Sequence, residues 1–545
     1  MPTIFTYSNN NTESFTGTTI RSNSYSIPSE QSLVSVSIGF NVTSIGTYAF
    51  SGRSSLTSVT FEAGSQLTSI GVSAFHSTGL TSIIIPAGVN SIGNDAFHGT
   101  GLTSITIPAS VVSIGDNAFD STGLTSIEIP ASVTSIGESA FASASSLSSV
   151  TFEENSQLTS IGSSAFVSSG LTSIIIPAGV NSIGTNAFYR ASSLSSVTFA
   201  EGSQLTSIGN GVFHNTGLTS ITIPASINSI GQNAFFGATS LSSVTFDEGS
   251  QLTSIGSQAF YGATALTTIT FPASVNSIGE NAFQGTGLTS ITIPAGVDSI
   301  GDSAYEGAAS LTSITIPAGV TSIGDSAFEG ATSLSSVTFE EGSLLTSIGN
   351  YAFRDASSLT SIIIPASVGS IGYQAFINAS SLSSVTFEEG SLLTSIGTDT
   401  FNNTGLTSIN IPASVNSIGS NAFYNATSLS SVTFAEGSQL TSIGNNVFRD
   451  TALTSITIPA NVNSIGSNAF YNATSLSSVT FAEDSQLTSI GTDAFKDSSL
   501  STVYIADGQE INGTSITSPA TGVNFFGKNV TTVLPEPAPD PESSV

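Results

Sequence analysis

The 545-residue chain contains no cysteine and no tryptophan, and a single methionine. Without thiols, disulfides, thiolate nucleophiles and Cys-held metals are all excluded. Basic residues are almost missing as well: only Arg21, Arg53, Arg190, Arg354, Arg449, Lys496 and Lys528 stand against 36 acidic residues, for a formal charge of −29. Phosphate backbones and anionic lipid surfaces are held by clustered Lys and Arg, so the sequence predicts no nucleic-acid partner and no attraction to an acidic membrane. No run of 18 apolar residues occurs, which predicts no membrane insertion and a soluble chain. The opening MPTIFTYSNNNTESF shows neither the basic nor the apolar region of a secretory signal. The acid excess reads as a solubility device for an apolar-rich particle.

What fills the chain instead is repetition. Charged residues make up 8% of it, yet 39% is hydrophobic and 34 residues are Phe, enough to bury a core along the whole length. Repeats open at Leu33, Leu56, Leu80, Leu102, Leu124, Leu147, Leu171 and onward to Leu500, spaced by about 22 to 25 residues, the leucine-rich-repeat range. A clean copy, residues 102–122, reads LTSITIPASVVSIGDNAFDST. Leu102, Ile105 and Ile107 obey L-x-x-L-x-L, and the alternation across Ser104, Ile105, Thr106 and Ile107 predicts a short strand with one buried face. Pro108 ends that strand because it has no N–H to give a ladder. Val111 and Ile114 form a second apolar group, Gly115 is expected to supply a turn, and Ala118 and Phe119 close the repeat on a turn or a short 3₁₀ segment.

Such a repeat is too small to bury its own apolar face, so it must stack on neighbours. The predicted fold is therefore a repeat solenoid of about 20 repeats, with a parallel β-sheet on one face and short turns or 3₁₀ helices on the other. Some repeats are short, carrying IPASV or IPAGV; others are long, carrying TFEEGSQL or a variant. The extra residues are expected in edge loops, where Glu153, Glu154, Asp247, Glu248, Glu340, Glu341, Glu388, Glu389 and Glu483 collect. Residues 1–32 and 500–533 lose the pattern and are expected to cap a solenoid spanning 33–499. The Pro- and acid-rich end, 534–545, is expected to be disordered.

The unit L-T-S-I-x-I-P-A-x-V-x-S-I-G-x-x-A-F-x-G resembles the BspA-like leucine-rich repeat, and the resemblance covers nearly the whole chain. It implies a surface-exposed or extracellular adhesion protein with a protein or glycan ligand, no cofactor and no catalytic role. Repeats of that family often place Cys shortly after Ala-Phe. Here small residues such as Gly99 and Thr100 stand there instead, which should preserve the packing.

Three sets of residues are candidates for chemistry. His76, His98 and His214 each follow a repeat Phe, where other repeats carry Asp, Tyr or Glu; they read as variable turn residues, and His76 with His98 lacks a third metal ligand. The acidic loops fit neither of the common calcium-loop patterns and read as solvated edges, with weak calcium binding as the alternative. The third set is the outward strand face, where Ser-x-Thr recurs as Ser104 and Thr106, Ser220 and Thr222, Ser290 and Thr292, Ser313 and Thr315, and Ser455 and Thr457. Hydroxyls in such an array can meet a ligand through many weak hydrogen bonds, although Thr also suits strands for its own sake. Ile84, Ile175 and Ile363 replace the Thr and are possible anchors, with Glu128 and Asn410 the other departures; scattered drift is the plainer reading. Two rival functions follow from the same array. Regular Ser-x-Thr pairs are similar to ice-binding ladders, and a purely structural scaffold needs no ligand at all.

Overall fold

A computed structural model describes residues 1–26 and 32–534. The tail expected to be disordered falls outside these except for Leu534, as does part of the expected N-terminal cap. Two units make up the chain, Met1–Ser274 and Val275–Val545, and the same rung builds both.

Each rung carries two strands rather than one. In the Leu124 rung the outward-facing strand is Ser126–Ile129, with Ile127 and Ile129 buried and Ser126 and Glu128 exposed, as the period-two pattern requires. Nine residues after Ser126, the pair Ser135–Ile136 forms a second, two-residue strand. These short Ser-Ile strands join in parallel, in register, into sheets of their own. One in the N-terminal unit runs through eight strands from Thr19–Ile20 to Ser182–Ile183, and one in the C-terminal unit through nine from Ser299–Ile300 to Ser489–Ile490. The sequence reading anticipated a single sheet; the second arises because S-I-G repeats in register and hydrogen-bonds to its own copies.

Glycine after most Ser-Ile pairs has a different cause from the one expected. Gly115 does not adopt a left-handed backbone. A Cβ on it would lie 2.6 Å from the Asn94 nitrogen and 2.6 Å from the Gly93 carbonyl carbon. Close approach of successive rungs, not turn geometry, selects glycine there.

The third side of the rung is a turn, with no helix among the described residues. Asn117 and Ser121 sit at φ 52° and 56°, four residues apart, and most rungs repeat this pair of left-handed positions with Asn, Asp, Ser or Gly. Those residue types tolerate the conformation best, and it is incompatible with a right-handed helix. Alternate amides then point along the stack: Asn117, Phe119 and Ser121 donate to the carbonyls of Glu138, Ala140 and Ala142, each at 2.8 Å. Backbone groups a helix would satisfy internally are satisfied by the next rung instead.

Between these three sides lies the core. Leu124, Ile127, Ile129, Val133, Ile136, Ala140 and Phe141 are all buried, and their counterparts repeat through both units. The Phe column stacks ring on ring, with centroids 5.1–5.5 Å apart from Phe50 to Phe260 and 5.0–5.6 Å apart from Phe283 to Phe495. At the first ring, Tyr25 packs 5.8 Å and Phe5 6.4 Å from Phe50; at the last, Phe525 lies 5.5 Å from Phe495. Thr100, at the position where small residues replace the family's cysteine, is buried and donates its hydroxyl to the Phe97 carbonyl at 2.8 Å.

Candidate functional site

The outward strand face presents the predicted pairs to solvent. Ser104 and Thr106, Ser220 and Thr222, Ser290 and Thr292, Ser313 and Thr315, and Ser455 and Thr457 are all exposed. Parallel register brings some of them together: Ser290 lies against Ser313 and Thr292 against Thr315, making one four-hydroxyl patch. Thr106 lies against Ile84. Thr222 is 3.0 Å, hydroxyl to hydroxyl, from Thr245 on the next rung, a partner the sequence did not single out. Ile84, Ile175 and Ile363 are 83%, 63% and 57% exposed, and no contact joins Ile84 to Ile175.

The face is not uniform, and each step that opens is one where proline follows the strand. Between the Leu124 rung and the long Leu147 rung, Ser126–Ile129 and Ser149–Phe152 pair at all four positions, and the Glu153 amide extends the ladder to the Ile129 carbonyl at 3.1 Å. One rung further, Pro177 occupies the place of Glu153 and has no N–H to offer the Phe152 carbonyl. Pairing between Ser149–Phe152 and Ser173–Ile176 is reduced to Ser149 with Ser173. The same single pair marks the long-to-short steps at Ser196 and Ser220, Ser336 and Ser361, and Ser384 and Ser408. Where a short rung follows a short rung, either three positions pair and the one before proline does not, as from Ser82–Ile84 to Ser104–Thr106, or the strands join no common sheet, as from Ser104–Thr106 to Ser126–Ile129. All four positions thus pair only where the residue one past the strand has a donor.

Where the strands part, a cleft opens. Five of these long-to-short steps hold cavities of about 510 to 670 Å³, three in the N-terminal unit and two in the C-terminal unit. One wall is the strand and loop of the long rung, exemplified by Phe152 and Glu153; the other is the next short strand and its Pro-Ala, exemplified by Ile175 and Pro177. Ile84 lines the equivalent cleft beside Phe61 and Pro86. Asn410 and Thr457 line those of the C-terminal unit. None of the seven basic residues lines any of the five. Sequence reasoning missed these clefts, although the signal was present: a proline after the strand of any rung that follows a long one.

The acidic loops are partly structural. Glu153, Glu340 and Glu388 each accept a hydrogen bond from a backbone amide of the preceding short rung, Ala131, Ala318 and Ala366, at 3.0, 3.2 and 3.0 Å. Their neighbours Glu154, Glu341 and Glu389 face solvent. In the same loops Leu344 and Leu392 are 59% and 62% exposed, apolar side chains the sequence reading did not single out.

Of the histidines, His76 and His98 do meet, with ring centroids 4.9 Å apart. His98 Nδ1 lies 3.5 Å from Asp120 and 3.7 Å from Asp95. No group of three or more His, Cys, Asp or Glu suited to a metal occurs among the described residues. His214 packs between Tyr189 and Phe236, at 4.8 and 4.6 Å; burial first, and the Arg190 charge second, push its pKa below the ordinary histidine value and favour the neutral ring.

Parallel ladders closed around columns of Leu, Ile and Phe, with turns on the third side, define a leucine-rich-repeat solenoid. The chain belongs to the BspA-type leucine-rich repeat family: the model of the "BspA type Leucine rich repeat region" matches overlapping stretches 18–143, 68–195, 112–242, 159–289, 228–344, 298–415 and 394–518. Among solved structures it is similar to a leucine-rich repeat protein from Bacteroides ovatus, at 22% identity over 88% of this chain and 92% of that one, with a TM-score of 0.34. It is also similar to a leucine-rich cell surface protein from Faecalibacterium prausnitzii, at 23% identity over 71% and 92%, with a TM-score of 0.32. A search of curated proteins returned no match. Proteins of this repeat class are binding and scaffold proteins, and no helix among the described residues is long and apolar enough to cross a membrane.

Proposed function

We propose that this protein is a non-enzymatic binding protein of the cell surface or extracellular space, and that a protein or glycan ligand lies along its outward strand face. The observation that carries this reading is the recurrence, on one face, of clefts beside exposed hydroxyls and exposed isoleucines. Core residues explain the fold without them, and exposed large aliphatics grouped with concave surface are where interfaces place their anchors. The aromatic contacts at Phe50 and Phe495 support residues 1–32 and 500–533 as caps, which leaves 33–499 as the presenting surface. The histidines and acidic loops have packing roles that need no catalysis or metal.

The test is a screen of the full chain against glycan and matrix-protein arrays, beside the variant Thr292→Lys/Thr315→Lys, which alters only exposed residues. A saturable signal that the variant weakens supports the reading. A signal indifferent to strand-face changes, or none, points to a scaffold instead. The open long-to-short steps weigh against ice binding, which needs an uninterrupted flat lattice; thermal hysteresis of the purified protein measures that directly.

A further inference from the structure

We propose that within each unit the long-to-short clefts form a row of sockets for an extended cationic polypeptide carrying an aliphatic side chain at every third position. The inference rests on the binding reading above and names the chemistry of the ligand.

Spacing is the first argument. From Leu147 to Leu266 in the N-terminal unit, and from Leu334 to Leu453 in the C-terminal unit, long and short rungs alternate strictly, so a long-to-short step recurs every second rung. Two rungs of parallel sheet span about 9.6 Å. A polyproline-II chain advances about 9.3 Å in its three-residue turn. A peptide laid along the stack in that conformation presents the same face to successive clefts, drifting only about 0.3 Å per step, less than a side chain absorbs by rotamer adjustment.

Lining chemistry supplies the anchor and the charge. The cleft between the Leu147 and Leu171 rungs, about 510 Å³, has Val150, Phe152, Ile175 and Pro177 as its apolar wall beside Ser149, Thr151 and Ser173. At its rim stands Glu153, and Glu62, Asp247, Glu388 and Glu389 stand at others. With no basic residue at any of these five rims and a chain charge of −29, the surrounding field favours Lys and Arg and repels anionic polymers.

The pattern of variation supplies the third argument. Within residues 33–499, where a strand pairs with the preceding rung at three or four positions, the outward residue is threonine: Thr60, Thr106, Thr151, Thr198, Thr245, Thr315, Thr338, Thr386, Thr433 and Thr480. Where pairing falls to one position or none, that residue becomes Ile84, Glu128, Ile175, Ile363 or Asn410 at five steps and stays threonine at Thr222, Thr270 and Thr457. The departures are therefore not scattered. They fall on open steps, with Ile84, Ile175 and Asn410 on cleft walls, where a change of side chain alters what a socket accepts without disturbing a ladder, as subsites with distinct preferences require.

The test uses the full chain and a fluorescein-labelled peptide of six Lys-Pro-Leu triplets. Its controls are a scrambled peptide of the same composition without the three-residue period, and a Glu-Pro-Leu peptide. By fluorescence anisotropy the periodic Lys peptide is expected to bind saturably and about tenfold tighter than the scrambled one, a difference of about 1.4 kcal/mol. The Glu peptide is expected not to bind, and Ile175→Ser/Ile363→Ser to weaken the Lys peptide several-fold while circular dichroism is unchanged. Equal binding of the scrambled peptide reduces the effect to bulk charge and overturns the proposal, as does indifference to the isoleucine substitutions. If no peptide binds while an array ligand responds to the strand-face lysines, the polypeptide inference fails and the binding reading stands; silence in both assays ends both.

Discussion

Tyr305 offers a sharp test of the packing argument. It is the only Tyr in the column of stacked Phe rings, its side chain is fully buried, and its hydroxyl has no hydrogen-bond partner. The ring itself fits, lying 5.6 Å from Phe283 and 5.4 Å from Phe328, as Phe does elsewhere. Only the hydroxyl is out of place, and a buried polar group without a partner costs about 1–3 kcal/mol. Tyr305→Phe should therefore stabilise the protein by about that amount. Burial also raises the pKa of Tyr305 far above the usual tyrosine value. The sign follows from linkage. The unfolded chain loses this proton near pH 10 and the folded chain only well above it, so stability is fully present below pH 10 and declines above it by up to about 1.4 kcal/mol per pH unit. The Phe variant lacks this one proton's contribution, although Tyr7 and Tyr25, whose pKa values are raised mainly by burial, retain theirs. Thermal unfolding at pH 7 and between pH 9 and 11 measures both effects. A variant less stable than the parent at pH 7, or one with an unchanged alkaline slope, would show that the hydroxyl is satisfied and that this account of the column is wrong.

Phe188→Ala, in the middle of the N-terminal unit's stack, should cost about 3–5 kcal/mol, because flanking rungs cannot collapse into the gap without breaking their own ladders; denaturant unfolding reads the change. Pro177→Ala supplies the missing amide and should close its cleft. The new hydrogen bond, worth about 0.5–1.5 kcal/mol, is largely offset by the lost rigidity of proline, about 0.4–1 kcal/mol, so stability should barely move. Hydrogen exchange should nevertheless find the new amide protected, and rapid exchange there would refute the donor argument. Removing one whole rung, residues 288–310, should leave a folded protein one rung shorter, since each rung contacts mainly its neighbours; loss of the cooperative melt would contradict that.

Much of this architecture was legible in residue order. The spacing of Leu102, Ile105 and Ile107, repeated from Leu33 onward, fixed which side chains face inward, because alternation along a strand is a local property of the chain. Exposure of Ser104, Thr106 and Ile84 followed from the same parity. What the rung does to its neighbour was not legible within any single repeat. Whether Phe152 ends in a closed ladder or an open cleft depends on whether residue 177, one rung away, carries an N–H. Gly115 is required by backbone atoms of residues 93 and 94, and Phe119 avoids a helix because its amide is taken by Ala140. Parity needs only the chain itself, whereas a hydrogen bond or a close contact needs a partner about 22 residues distant, and only stacking decides which partner that is.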